Sequence, residues 1–379
     1  MKTEQALWIQ DKGWESTRPG GLGSRAQLVL IFGSPALLKE RDLMQEIKQA
    51  YPQAYLLGCS TAGEIYDTQV HDNSLAVTAV QFEASTFQSV CTRIEENSDS
   101  QAAGARLAQQ LATRGLTHVF VLSDGLHVNG SKLVAGLTQH LPGHVAITGG
   151  LSGDGARFQE TLILADGVVA PNTVTAIGLY GDRLKVGYGS FGGWDAFGAE
   201  RLITHAQGNV LYELDGKSAL QLYKMYLGEH ARGLPATALL FPLSLRKSKD
   251  DEPLVRTILS VDEEKQSMTF AGGLTEGAYA RFMKANIDRL VDGASEAATT
   301  SYEAIGSTTP DLAILISCIG RKLVLKQRIE EEVESVRDVL VARTTLTGFY
   351  SYGEISPFAP GARCELHNQT MTITTLSEA

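Results

Sequence analysis

One unit recurs about three times along this chain of 379 residues: strand, turn, helix, strand, glycine turn, strand. The first copy begins with the apolar run Leu28-Val29-Leu30-Ile31 and breaks at Gly33-Ser34-Pro35, where Ser before Pro marks a helix start. A helix ending near Tyr51-Pro52, a strand at 55–57 and a longer strand at 75–82 complete it. The second copy has a strand at 118–122, the turn Ser123-Asp124-Gly125, a helix at 131–140 and strands at 146–148 and 161–164. The third has a strand at 312–316, the turn Ser317-Cys318-Ile319-Gly320 and a strand at 346–349. Its helix carries Ile329, Val333, Val336 and Leu340 on one face. Strand–helix–strand crossovers imply parallel pairing with right-handed connections. The predicted fold class is therefore α/β, with mixed sheets and a more β-rich middle segment at 174–261.

Two of the glycine turns read alike. Gly58-Cys59-Ser60-Thr61-Ala62-Gly63-Glu64-Ile65 and Gly348-Phe349-Tyr350-Ser351-Tyr352-Gly353-Glu354-Ile355 each follow an apolar strand and end in Gly-Glu-Ile. Turns at the carboxyl ends of α/β strands are where such sheets bind ligands. Ser34, Asp124, Cys318 and Arg321 fall at one set of those ends. The two turns are expected to wall one site. A soft domain boundary is expected near residue 217, with residues 1–27 as a polar lead-in.

Composition narrows the function classes. With 43% hydrophobic and 20% charged residues and a formal net charge of -10, the chain lacks the clustered cations that phosphate binding needs. Its densest positive cluster, Arg246-Lys247-Lys249, runs at once into Asp250-Asp251-Glu252 and reads as a solvated loop. No signal peptide or membrane span is expected, so the protein is expected to be cytoplasmic. Cys59, Cys91, Cys318 and Cys364 have no C-x-x-C spacing, which argues against a zinc ribbon or redox pair.

Several motifs fail on context. Gly187-Tyr188-Gly189-Ser190-Phe191-Gly192 matches a dinucleotide fingerprint but leads into a strand, not the helix that a pyrophosphate requires. Gly216-Lys217-Ser218 lacks the first glycine of a P-loop, since residue 211 is Leu. Neither Gly-Glu-Ile turn has the G-x-S-x-G spacing of a nucleophile elbow. A hydrolase or thiol enzyme using Ser60 or Cys59 remains the alternative class. His367, in Glu365-Leu366-His367-Asn368-Gln369-Thr370, ties down a loop or ligates a haem iron, which needs only one protein ligand and an apolar pocket. His71, His127 and His205 are weaker candidates.

Taken in order, GCSTAGEI, GGLSGDGARFQETLILADG, SCIGRKLVLKQRIEEEVESV, GFYSYGEISP and LHNQTMTI resemble the FIST family of bacterial signal-transduction proteins. The resemblance runs from about Leu28 to the end, as an N-terminal FIST region (28–217) followed by a C-terminal one (218–379). It implies a cytoplasmic, non-enzymatic sensory module for small ligands such as amino acids. A subset of two-part members binds haem and senses nitric oxide, signalling to a histidine kinase or a cyclic-di-GMP enzyme. This chain would signal to such a partner in trans.

The family supplies no catalytic motif, so candidate ligand contacts rest on local chemistry: Ser60, Thr61, Glu64, Arg321, Tyr350, Ser351, Tyr352, Glu354 and Asn368, with His367 as the metal ligand. An amine seeks an acid such as Glu64 or Glu354, and a carboxylate seeks Arg321 or a nest of N–H groups.

Overall fold

The computed structural model describes residues 1–95, 99–248 and 251–378. Each repeated unit places its two crossover strands side by side and parallel: Leu28–Gly33 with Tyr55–Ser60, Leu116–Ser123 with Ala146–Leu151, and Leu312–Cys318 with Thr345–Ser351. An antiparallel strand then flanks the first of each pair: Ser74–Gln81, Thr173–Tyr180 and Met371–Glu378. Outside these lie Lys2–Ile9, Thr86–Arg93 and Leu184–Phe191. The three sheets thus share one order.

They are also interlocked, because each unit lends a hairpin to its neighbour. Glu64–Tyr66 and Gln69–His71 leave the first unit and pair with Thr345–Ser351 of the third. Gly353–Pro357 and Cys364–His367 leave the third and pair with Ala146–Leu151 of the second. Ile163–Ala165 and Val168–Ala170 leave the second and pair with Tyr55–Ser60 of the first.

Strand periodicity builds the layers. In Leu28–Gly33, Leu28, Leu30 and Phe32 face inward and meet Phe120, Leu122, Ile314, Ile316 and Phe349 from the other two sheets in one central core. Val29 and Ile31 face outward against Leu43 and Ile47 of the helix Arg41–Ala50. Helices Ser100–Gln110 and Gly130–His140 cover the second sheet, and Ile287–Ala304 with Ile329–Leu340 cover the third.

A second body is inserted into the third unit. Residues 195–285 form a further sheet around the helix Ala219–Leu227, with its own core of Leu220, Tyr223, Phe270 and Phe282. A small cluster, Trp194, Met283, Leu290, Val324 and Leu325, joins it to the main body.

One expectation changes here. Lys2–Ile9 lies within the supposed lead-in yet is a full strand, paired over its whole length with Ser74–Gln81. Its charges hid it: Glu4 looks solvent-facing but accepts N–H groups from Gly20 and Gly21 and the Tyr51 hydroxyl. The division near residue 217 cuts through a pairing inside the inserted sheet, between Val210–Leu214 and Lys217–Ser218. The inserted body itself spans residues 195–285. Of the basic loop, Lys249 and Asp250 lie outside the described residues, and Arg246 pairs with Glu200 at 2.6 Å.

Candidate ligand cleft

The glycine turns meet at the centre of the molecule. Ala62 N–H donates to the Tyr350 carbonyl (2.8 Å), Tyr352 N–H to Leu151 (3.2 Å), and Gly153 N–H to Ser60 (2.9 Å), which closes a ring of three equivalent bonds. Gly58, Gly149 and Gly348 occupy matching places upstream. A Cβ on them would come within 2.0, 1.8 and 1.8 Å of the carbonyl oxygens of Ile31, Val121 and Leu315, so only glycine lets the strands approach. The turns also lie beside Ser34, Asp124 and Cys318: Thr61 N–H bonds the Gly33 carbonyl and Ser152 N–H the Ser123 carbonyl.

The two Gly-Glu-Ile turns thus contact each other directly, Ala62 N–H donating to Tyr350 and Tyr350 N–H to Gly63. Glu64 accepts from the Thr61 hydroxyl and from Ser74 through both N–H (3.2 Å) and hydroxyl (2.6 Å). Glu354 repeats this with Ser351 (2.5 Å) and with Thr370 N–H (3.2 Å) and hydroxyl (2.9 Å). Both carboxyls are buried, and burial pushes them up to about 7 for Glu64 and about 8 for Glu354. They brace their turns from inside.

Other expected contacts are likewise committed to the core. Arg321 is fully buried; its Nε and Nη2 lie 3.0 and 2.8 Å from Glu332, and Nη1 and Nη2 also donate to the Gly192 and Leu290 carbonyls. Tyr350 donates to the same Glu332 at 2.5 Å. This corrects the expectation that Arg321 is available to a ligand carboxylate. Ser60 accepts the Leu162 N–H (2.8 Å) and is buried, and burial pushes the Cys59 thiol far up.

His367 is 1% exposed, its Nε2 2.7 Å from the Ser356 carbonyl and its ring edge-on to Phe358. Burial draws its pKa down to about 4. It does not line the cavities of about 680 and 1170 Å³, and its Nε2 is already engaged by Ser356, so it does not fit as an axial haem ligand in this arrangement. Groups of three or more metal-ligating side chains are absent among the described residues.

Tyr352 leads to the open site. Its hydroxyl bonds Asp154 and the Gly155 carbonyl (2.9 Å) and accepts N–H from Phe158 (3.3 Å). Burial opposes ionisation of Asp154, but Tyr352 and the N–H groups of Gln159, Glu160 and Phe158 hold its pKa below the usual range. Phe158 stacks on the Tyr352 ring with centroids 4.5 Å apart, although it is 48% exposed and has φ +53. Both rings border a cleft of about 1170 Å³ between the main body and the inserted body. The main body contributes Leu126, Val128 and the segment Cys318–Ile319–Gly320 with Leu323. The insert contributes Leu234, Thr257, Ile258, Leu259 and the glycines 272 and 273.

Asn368 and Gln369 lie near this floor, both buried. Asn368 Oδ1 and both ends of the Gln369 amide have no hydrogen-bond partner among the described residues. The Gln369 amide stands against Gly320, where a Cβ would come within 2.4 Å of it. Of the residues expected from sequence, Tyr352 thus borders the cleft and Asn368 is left with bonding capacity. Sequence reading missed Phe158, Thr257 and Leu323. A signal was present in Gly272-Gly273, which follow the strand Ser267–Phe270 at no obvious turn motif.

Comparison with known proteins agrees with the repeated motifs. The FIST N domain model matches residues 27–217 and the FIST C domain model residues 219–357. An uncharacterized protein of Methanocaldococcus jannaschii is similar at 24% identity, covering 87% of this chain and 70% of that one. Among solved structures, one of cyanuric acid hydrolase is similar with a TM-score of 0.25 and 9% identity, over 78% of this chain and 69% of that one. The cyanuric acid hydrolase from A. caulinodans gives a TM-score of 0.18 and 10% identity, over 78% and 99%. Scores this low establish neither fold nor activity.

Proposed function

Because this chain belongs to the FIST family, whose domains are sensory parts of signal-transduction proteins, we propose that it is a non-enzymatic small-molecule sensor and that its ligand occupies the cleft between the main body and the insert. The observation that carries this reading is the cleft itself. It is large enough for a small molecule, mostly apolar, and bordered by two bodies joined by the Trp194 cluster and a few polar contacts. A ligand touching both walls favours the closed arrangement of the bodies, which is how binding becomes a signal. The signal passes in trans to a histidine kinase or a cyclic-di-GMP enzyme.

Haem with nitric oxide is the sharper variant of this reading, and it requires an iron ligand other than His367. Ser60 and Cys59 speak for the alternative enzyme class only by residue type. Both sit in the core, and Ser60 already bonds the Leu162 N–H.

The test is a thermal-shift screen of metabolites, with haem followed by visible absorption before and after nitric oxide. A ligand at one hundred times its Kd adds about 2.7 kcal/mol of stability. At least one compound is expected to raise the unfolding midpoint of the wild type and not that of Leu323→Glu, which puts a charge on the cleft wall. Stabilisation that is equal in both proteins would place the ligand elsewhere.

A further inference from the structure

Arg256 is 4% exposed and sits where the insert meets the main body. Its Nη1 donates to the Leu366 carbonyl at 2.8 Å and to its neighbour Val255 at 3.4 Å, and its Nε has no partner. No carboxylate ion-pairs with it among the described residues, whereas the equally buried Arg321 has Glu332. Buried guanidinium groups are ordinarily paired, because an uncompensated charge in the interior is costly. Glu365 and, more weakly, Glu354 act on Arg256 through space, but neither bonds it, and Glu354 is engaged by Ser351 and Thr370. The positive charge at this junction is therefore without a carboxylate in direct contact among the described residues.

Only a glycine stands between the cleft floor and that charge. Gly272 lines the cleft and lies against Arg256, so that a Cβ there would sit 2.5 Å from Nε. Thr257, the next residue, borders the cleft at 6% exposure with its hydroxyl unpartnered. Gly320 stands in the same relation to the unpartnered Gln369 amide. Two glycines thus separate the cleft from buried polar atoms, Arg256 Nε and the Gln369 amide, that have no partner among the described residues. The walls above are apolar: Leu126, Val128, Leu259 and Leu323, with the Phe158–Tyr352 stack.

We propose that the cleft takes an amphipathic organic anion, with its carboxylate, sulfonate or phosphate head held by Arg256 and Thr257 and its apolar body lying along Leu323 and Phe158. The inference rests on the cleft being the sensory site and goes on to name what fills it. The anionic head would join the insert, through Arg256 and Thr257, to the main body at Gly320 and Gln369.

Two dyes that share an aromatic body test it on the full chain by fluorescence titration. Anilinonaphthalene sulfonate carries an anionic head, and phenyl-naphthylamine has none. The anion is expected to bind one-to-one and on the order of ten-fold more tightly than the neutral dye, as suits a hydrogen-bonded charge pair. Arg256→Gln should remove most of that preference while leaving the neutral dye within about two-fold, and Thr257→Val should reduce it less. Leu323→Glu should weaken both dyes.

Equal binding of the two dyes, with no response to Arg256→Gln, would overturn the anion inference and leave the cleft standing. Failure of either dye to respond to Leu323→Glu would remove the cleft reading as well. Unfolding midpoints report whether each variant is folded. If Arg256→Gln does not fold, Thr257→Val and Arg256→Lys decide: an unchanged preference in both overturns the proposal.

Discussion

Glu64 and Glu354 show how a carboxyl can look like a ligand contact and serve as a brace. Each stands three residues after a hydroxyl that donates to it, and each takes two more bonds from a residue at or just before the start of the returning strand, Ser74 or Thr370. Burial raises both above the ordinary value of about 4.3, to about 7 and about 8. The folded state therefore holds these protons when the unfolded chain has released them. That contribution to stability is complete below the unfolded pKa and is lost as pH rises through the folded values. The midpoint of urea unfolding should accordingly fall from about pH 4 to about pH 8 and level off above that. Glu64→Gln with Glu354→Gln keeps the shape and removes the titration, so the double variant should show a flatter profile over that range. A wild-type slope in the double variant would mean that other groups set it.

At the scale of elements, the three-unit plan depends on glycine where strands approach a neighbour's carbonyl. Gly348→Ala would bring Cβ to within 1.8 Å of the Leu315 oxygen, and the parallel pair could relieve this only by moving backbone. Overpacking costs about 1–3 kcal/mol and occasionally more; here the contact is with main chain on a strand whose end enters the central ring, so a loss of at least about 3 kcal/mol is expected in urea unfolding. Gly143→Ala, which meets open space, should change it little.

The repeat behind this plan was legible in the sequence because local signals carry it: apolar runs, Ser-Pro, and Gly-Glu-Ile twice. The exchange of hairpins was not, since Ile163–Ala165 pairs with a strand about a hundred residues earlier and nothing local records the partner. Lys2–Ile9 was missed because its polar side chains are satisfied inside the fold, as when Gln5 bonds both Thr78 and the Leu346 carbonyl. The cleft was missed for a related reason. Its walls come from Leu126, Phe158, Thr257 and Leu323, far apart in the chain and ordinary in type. Arg256 did leave a trace, as a charge on the inward parity of a strand region where Ile258 is also buried.

For the whole molecule, the three units and the insert divide the work between rigidity and response. Interlocked hairpins and the closed ring of turns tie the units to one another, so motion between them would break many backbone bonds at once. The insert is held differently, by the Trp194 cluster, the bond from Arg256 to Leu366 and the bonds of Asp195 to Arg289 and Asn286. Regions with few buried contacts to the rest open at lower free energy, and sensory elements are drawn from them. Binding in the cleft should therefore slow hydrogen exchange where the bodies meet, at residues 257–259, 270–273 and 318–323, and leave the central strands 28–33, 116–123 and 312–317 unchanged. Anilinonaphthalene sulfonate at saturation is a suitable probe, compared with the free protein by mass spectrometry. Protection spread evenly over the central strands would show that binding stabilises the fold as a whole and would remove the hinge between the bodies as the carrier of the signal. Protection confined to the cleft margins would place the response in the relation of insert to main body, the surface a kinase or cyclic-di-GMP enzyme would then have to read.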